Sequence, residues 1–349
     1  MRVLVTGATG RLGMNLVKTL NDRGYETISF CFDSPAEKEL RERLEAFDTE
    51  IVLGNMASGD GIVEAVEKAD AVVHTAALMQ EDRAPSRVAF FDINTRGTFC
   101  LLEAIRDRSK PIHRLVAFTT GAVYDVFSQE GPYVEEQELW PLELYGAVKI
   151  CNEQLYRLYH WQNDLGVIVL RPNLIVAGSE PVDIWSPQYP IGALKGNAGN
   201  PRSVLCSPVP EPWKLIEEAL EGRPEGTMAV PYGPGRQSWK WHITDARDVV
   251  QAVLLSLETA DPSAVGEVFN IASAEPQLWS EVVPYVAEKT GRECVDVDLP
   301  VSWNVEFDIS KARDLLGYAP QYDVFQSIDT ALEYMAGGEV DVLPPGIPH

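Results

Sequence analysis

The chain of 349 residues carries 29 basic and 52 acidic residues, a formal charge of −23, with 45% hydrophobic residues. That charge repels nucleic acid backbones and anionic membranes, while the length suits one large core or two ordinary ones. No apolar run reaches the roughly eighteen residues of a membrane span, and the N-terminus enters a strand pattern directly, so neither span nor signal peptide is expected.

Residues 2–6 (RVLVT) form a β-branched run closed by Gly7, and 11–24 (RLGMNLVKTLNDRG) spaces its apolar residues helically. A strand follows over 25–32, then a helix over 34–47 with Ser34 as N-cap and Pro35 at its first position. The alternation continues through a strand at 50–54, a segment at 59–70, a strand at 71–77, a helix over 88–106 and a strand at 113–120. Strands separated by helices predict an α/β fold, a doubly wound parallel sheet buried on both faces. After VIVLRPNLIVAG at 167–178, residues 179–212 are rich in Pro, Gly, Ser and Asn and read as long irregular connections. Helices are expected again at 211–222 and 246–258, a strand at 267–273, a final ordered segment at 310–318 and a loosely held tail. The division is a dinucleotide-binding domain at 1–178 and 237–272, a smaller α/β substrate-binding part at 179–236 and 273–335, and a tail at 336–349. Cys31, Cys100, Cys151, Cys206 and Cys294 are scattered singly, which implies reduced thiols, no metal site and a cytoplasmic location.

The motif TGATGRLG follows the first strand and opens the first helix. Gly7 permits a tight turn, Gly10 lets backbone approach a pyrophosphate, and Gly13 lets helix and strand pack closely. The helix N-terminus then offers free N–H groups to phosphate. Asp33, about twenty residues further on, ends the next strand where an acid reads the adenosine ribose, which favours NAD and leaves NADP open. In YGAVK, Tyr145 and Lys149 stand at i and i+4, so phenol and ammonium share a helix face, and the ammonium is expected to draw the phenol pKa down for proton transfer.

Together with VVHTAA at 72–77, NTRGT at 94–98, FTTGAVYD at 118–125, LRPNLIVAG at 170–178, HITDARDVV at 242–250, GEVFNIAS at 266–273 and DISKARDLLGY at 308–318, these motifs resemble the extended short-chain dehydrogenase/reductases. The resemblance is to their NAD-dependent epimerase/dehydratase branch, from Met1 to about residue 320. It implies proton transfer by Tyr145, a Lys149 that binds the nicotinamide ribose and tunes Tyr145, and a Thr120 hydroxyl bonded to the reacting oxygen. It further places Gly7, Gly10, Arg11, Leu12 and Gly13 at the pyrophosphate, Asn55 and Met56 near adenine, and Ala76, Ala77, Asn94 and Pro172 beside the cofactor. It implies a homodimer through helices at 88–106 and 145–162, where Leu155, Leu158 and Tyr159 suit interface or core. His74 reads as a packed strand residue. Met79, Asn173, Trp239 and His242 are the candidate substrate residues, His242 either lining the substrate side or supporting the sheet.

Family members that dehydrate or decarboxylate sugar nucleotides carry acids where this chain has Gly121 and Ala122. Nucleotide-sugar binders place an Asn at the position of Leu174, with Asn173 here one place early, and an Arg at the position of Trp239. An Arg upstream of DISKA is also missing. Arg202, Arg236 and Lys240 are the cations left to compensate, and Trp185, Trp213, Trp239 and Trp241 read equally as core or ligand-facing wall. The expected activity is therefore NAD-dependent hydride transfer at a C–OH or C=O carbon of a sugar-like or small hydroxylated substrate. The alternatives are a UDP-sugar 4-epimerase with tightly held NAD and a non-catalytic NAD(P)-sensing protein, against which the Tyr/Lys pair argues.

Overall fold

In the computed structural model, which describes residues 1–129 and 131–345, the first six strands are β1 (Arg2–Thr6), β2 (Glu26–Phe32), β3 (Thr49–Gly54), β4 (Ala71–His74), β5 (Arg114–Phe118) and β6 (Val167–Pro172). With strand Val268–Ile271 they form a seven-stranded sheet in the order Val268–Ile271, β6, β5, β4, β1, β2, β3. Every pairing in it is parallel. Side chains alternate across the pleat, so both faces need apolar cover. On one face Val3, Val5, Val73 and Val116 meet Met14, Leu16 and Leu20 of α1 (Arg11–Asp22) and Val249 and Val253 of helix Ala246–Glu258. On the other, Leu4, Val72, Leu115 and Ala117 pack with Leu101, Leu102, Tyr156 and Tyr159 from helices Gly97–Arg106 and Leu144–Asn163.

Ser34 caps a short 3-10 turn, Pro35–Glu37, through the Ala36 N–H, and the α-helix proper runs Lys38–Leu44. The helix expected over 88–106 is interrupted by a π-helical turn at Asp92–Arg96, a distortion that concentrates at functional sites.

The remaining half is built on the three-stranded sheet Cys294–Asp298, Met228–Gly233 and Gln237–Ser238, covered by helices Lys214–Leu220 and Trp279–Thr290. Two corrections arise here. The segment expected to be irregular holds helices Glu180–Asp183 and Gln188–Gly196, because Val182, Ile191 and Leu194 are drawn into the core. The tail is not loosely held as far as residue 345. Val342 is buried, Asp341 pairs with Arg247, and the Leu343 backbone exchanges hydrogen bonds with the Asn15 side chain through both its N–H and its carbonyl. The last four tail residues, 346–349, lie outside the described residues. Among the described residues no helix is long and apolar enough to cross a membrane, and no group of three His, Cys, Asp or Glu gathers in metal-binding fashion.

Candidate active site

The sheet brings the C-terminal ends of β1, β2, β4, β5 and β6 to one edge, where open parallel sheets bind ligands. Gly7 has φ +68°, and a Cβ there would stand 2.8 Å from the Ala76 Cα, so the first loop lies directly against the chain leaving β4. At Gly13 a Cβ would lie 2.1 Å from the Gly7 carbonyl oxygen, so only glycine lets α1 sit this close. Gly10 is the N-cap of α1, in extended conformation with no side-chain cap, leaving the first-turn N–H groups to a ligand. Leu12 is buried beneath the turn. Arg11 does more than line the loop. Its guanidinium donates to the Ile175 carbonyl (3.1 Å) and pairs with Glu180, tying the loop to the chain that follows β6, while its Nε is buried without a partner.

Asp33 is exposed just beyond β2, its backbone N–H bonded to the Gly54 carbonyl at 3.1 Å. A second acid stands beside it. Glu37 accepts from the Thr9 hydroxyl at 2.9 Å, and burial raises its pKa against the pull of the Thr9 bond, Arg41 and the Phe32 backbone. Arg41 donates Nη1 to the carbonyls of Phe32 (2.9 Å) and Ser34 (2.8 Å), so folding brings to the β2 end a cation that the local sequence had not placed there. The Asn55 side chain accepts from the Ala57 N–H, and Met56 packs its backbone where a Cβ on Gly97 would fall.

Asn94, on the π turn, is buried and acts as a clamp. Its Oδ1 accepts from the Leu78 N–H and its Nδ2 donates to the Leu78 and Phe90 carbonyls, all at 3.0 Å. This holds the β4 loop, in which the Ala76 N–H reaches the Thr6 hydroxyl at 3.2 Å, Ala77 is partly open and Met79 is exposed. His74 is structural as expected. Both ring nitrogens meet threonine hydroxyls, Thr6 at 2.7 Å and Thr98 at 3.0 Å, and burial followed by the Lys149 charge lowers its pKa to about 3.

Helix Leu144–Asn163 carries Tyr145, Lys149 and Glu153 at successive i+4 positions. The Lys149 Nζ lies 5.6 Å from the Tyr145 ring centroid and donates to the Phe118 carbonyl at 3.2 Å. Burial lowers the Lys149 pKa to about 8, with the Glu153 charge opposing. The expected drop at Tyr145 is absent. Burial raises its pKa, and the charge that opposes the rise is Arg11, so the phenol is held protonated. Glu153, one turn below Lys149, receives a bidentate pair from Arg171 (2.7 and 2.6 Å) and the Thr119 hydroxyl (2.8 Å), all buried. Arg171 continues to the Tyr124 hydroxyl at 2.7 Å, and that hydroxyl to Asn270 at 2.9 Å. This buried network clamps β5, β6, Val268–Ile271 and the Lys149 helix together. Sequence reading missed it, although Glu153 at i+4 from Lys149 was the available signal.

Thr120 caps the turn Gly121–Val123 by accepting from the Ala122 N–H at 3.2 Å. A Cβ on Gly121 would stand 2.6 Å from the Phe307 ring and 2.9 Å from the Asn173 side-chain oxygen. The space an acidic side chain would take at position 121 is therefore filled, whereas Ala122 is exposed. Pro172 is buried at the end of β6, Asn173 spends its amide on the His242 carbonyl, and the exposed Leu174 holds φ +34°.

Two candidate substrate residues are displaced into the interior. His242 is 2% exposed, with Nε2 donating to the Ser273 carbonyl (2.9 Å) and Nδ1 accepting from the Phe307 N–H (3.0 Å). Burial lowers its pKa to about 4, so it supports the sheet and holds Phe307 in place. Trp239 is fully buried, its Nε1 bonded to the Val301 carbonyl at 3.0 Å. Of the three compensating cations, Arg236 pairs with Asp296 and Asp298 and Lys240 with Glu306, while Arg202 is exposed.

Residues 3–182 match the family model described as NAD dependent epimerase/dehydratase family, over half of the chain. The chain belongs to the NAD dependent epimerase/dehydratase family. It is similar to a UDP-glucose 4-epimerase of Rhizobium leguminosarum bv. trifolii, at 27% identity over 96% of this chain and 97% of that one. It is also similar to a 4-hydroxy-2-methyl-3-oxo-4-farnesyl-3,4-dihydroquinoline-1-oxide ketoreductase of Stigmatella aurantiaca, at 25% identity over 97% and 98% of the two chains. Among solved structures, a short-chain dehydrogenase/reductase superfamily protein of Agrobacterium tumefaciens with bound NAD superposes with a TM-score of 0.76, at 25% identity over 97% and 98%.

The residues present fit the family's cofactor. A backbone cradle too tight for Cβ atoms at Gly7 and Gly13, free N–H groups on α1 and the buried, unpaired Nε of Arg11 are what a pyrophosphate requires. As a member of this family the protein is an NAD-dependent oxidoreductase-type enzyme.

Proposed function

We propose that this epimerase/dehydratase-family protein catalyses net, reversible hydride transfer between NAD and a C–OH or C=O carbon of a small, non-nucleotide hydroxylated substrate. The observation that carries this is Trp239, sealed in the core where recognition of a diphosphate calls for a guanidinium. The filled space beside Gly121 argues in addition against dehydratase chemistry. The ketoreductase named above supports net redox on a substrate without a nucleotide.

NAD supplies the hydride acceptor for oxidation and, when reduced, the donor for reduction. Tyr145 keeps its phenol proton through burial, which suits delivery to a carbonyl oxygen during reduction. Lys149 holds positive charge on the same helix face and steadies the phenolate left behind. Thr120 spends a lone pair on the Ala122 N–H and keeps its own O–H to donate to the reacting oxygen. Gly7, Gly10 and Gly13 would cradle the pyrophosphate, and Asn94, through Leu78, would hold the β4 loop with Ala76 and Ala77 beside the cofactor.

Mass spectrometry of the purified protein, calorimetric titration with UDP-glucose and a screen of NADH formation from polyols, aldoses and hydroxy acids test this reading. Expected are an empty or exchangeable cofactor site, no UDP-glucose binding, and turnover of a small alcohol. Stoichiometric retained NAD with saturable UDP-glucose binding would replace it with the second reading, a 4-epimerase, which the full-length similarity to the Rhizobium enzyme favours.

A homodimer and a cytoplasmic location complete the proposal. Val88, Phe91, Phe99, Leu158 and Trp161 are exposed on the two expected interface helices, Trp161 at 80%, whereas Tyr159 is buried and Leu155 partly so. Light scattering at twice the chain mass supports the dimer; a monomer refutes it. The five cysteines are free thiols, which suits a reducing compartment.

A further inference from the structure

One polar cluster is left unused by the chemistry above: Thr9, Asp33, Glu37 and Arg41, at the crevice between the β1 loop and the end of β2. Glu37 belongs to the 3-10 turn that Ser34 caps, and its carboxylate reaches across the crevice. The Thr9 hydroxyl of the glycine loop holds it there at 2.9 Å. Asp33, by contrast, is exposed at the outer edge. Arg41, one helical turn beyond Glu37, is anchored by Nη1 to the Phe32 and Ser34 carbonyls at 2.9 and 2.8 Å. A dinucleotide bound to this fold sets its adenosine ribose beyond the second strand and beside the first glycine loop, which is where this cluster stands.

We propose that Glu37 is the residue that selects NAD over NADP, by fixing a carboxylate across the ribose crevice and offsetting the charge of Arg41. This rests on the dinucleotide reading and deepens it. A ribose 2′-hydroxyl donates to a carboxylate, whereas a 2′-phosphate brings close to two further negative charges against it. Like charges within a few ångströms shift each other by a pKa unit or more, equivalent to about tenfold in affinity. Neutralising Glu37 removes that repulsion and leaves the Arg41 charge unopposed toward a phosphate, the partner a guanidinium suits best. Thr9 is a positioning residue, because its hydroxyl holds the carboxylate in the crevice.

Fluorescence titration of the full-length protein with NADH and with NADPH provides the test, and melting temperatures confirm that each variant is folded. Wild type should bind NADH more tightly. E37Q should move the NADPH-to-NADH affinity ratio toward NADPH by about tenfold or more, and E37Q/R41A should lose most of that gain. T9V, which keeps the charge but releases it, should move the ratio the same way by less, and it serves in place of E37Q if that variant does not fold. If E37Q weakens both cofactors alike, Glu37 is only a loop tie and the proposal fails. It fails equally if D33N, and not E37Q, carries the shift. Wild-type protein that binds neither nucleotide overturns the dinucleotide reading itself.

Discussion

At Gly7 and Gly13 a single added carbon collides with backbone at 2.8 and 2.1 Å, whereas across the molecule Trp185, Trp239, Trp241, Trp279 and Trp303 pack ring on ring at centroid distances of 4.9 to 6.0 Å. The cofactor crevice is made of main chain, and its shape depends on what is missing from the side chains. The tryptophan cluster is made of side chains, and its shape depends on what is present. The first must therefore fail by addition and the second by removal. Tyr145 and Lys149 stand on helix Leu144–Asn163, which packs against the parallel sheet.

The largest effect belongs to that helix. Tyr145→Phe should cut kcat by about 10²- to 10⁴-fold while leaving the NADH dissociation constant near its wild-type value; steady-state kinetics with fluorescence titration checks this, and undiminished turnover overturns the assigned proton donor. Next comes a matched pair that tests the contrast itself. Trp239→Ala should destabilise the fold by about 3–5 kcal/mol in urea titration and spare NADH binding per folded molecule, whereas Gly13→Ala should abolish NADH binding. Equal loss of cofactor affinity in both variants would dissolve the contrast.

The third effect is the pH dependence contributed by Lys149. Its folded pKa of about 8 lies below the ordinary 10.5, so between these values the unfolded chain binds the extra proton and stability rises with pH. Lys149→Met should gain up to about 3 kcal/mol below pH 8, flatten that rise in melting experiments across pH 7–10, and lose activity. The smallest effect is expected on the acid side. His242 is held neutral with a pKa of about 4 against 6.5, so its contribution is complete above pH 6.5 and lost as pH falls through that window. At pH 5 this amounts to about 2 kcal/mol, and His242→Gln should remove that share of the acid sensitivity in thermal melts at pH 7 and 5.

How much of this was legible beforehand follows sequence separation. The strand, glycine turn and helix at 2–22, the Ser34 cap and the shared face of Tyr145 and Lys149 involve neighbours a few residues apart, and pattern reads them directly. The Arg171–Glu153 pair joins a strand to a helix 18 residues away, and the His242 bond to the Phe307 N–H spans 65. Phe307 against Gly121 is more distant still. Trp239 and His242 carried the chemistry of ligand contacts in the sequence, yet both point inward, because a buried indole or imidazole is satisfied by one or two backbone partners. The helices inside residues 179–212 were hidden by their Pro and Gly content, which tertiary burial of Val182, Ile191 and Leu194 overrides.

By itself the sequence determined the parallel α/β architecture, the glycine turn that opens α1 and the helix face shared by Tyr145 and Lys149, since each rests on local periodicity and on backbone that only glycine allows. Only the tertiary structure decided what stands opposite them. It set the Glu37 carboxylate across the crevice, the Arg171–Glu153 clamp beneath Lys149, the protonated phenol of Tyr145, and the indole packing that leaves Trp239 out of reach of a ligand. Those outcomes come from burial and charge summed over segments far apart in the chain, and no window of sequence contains both partners.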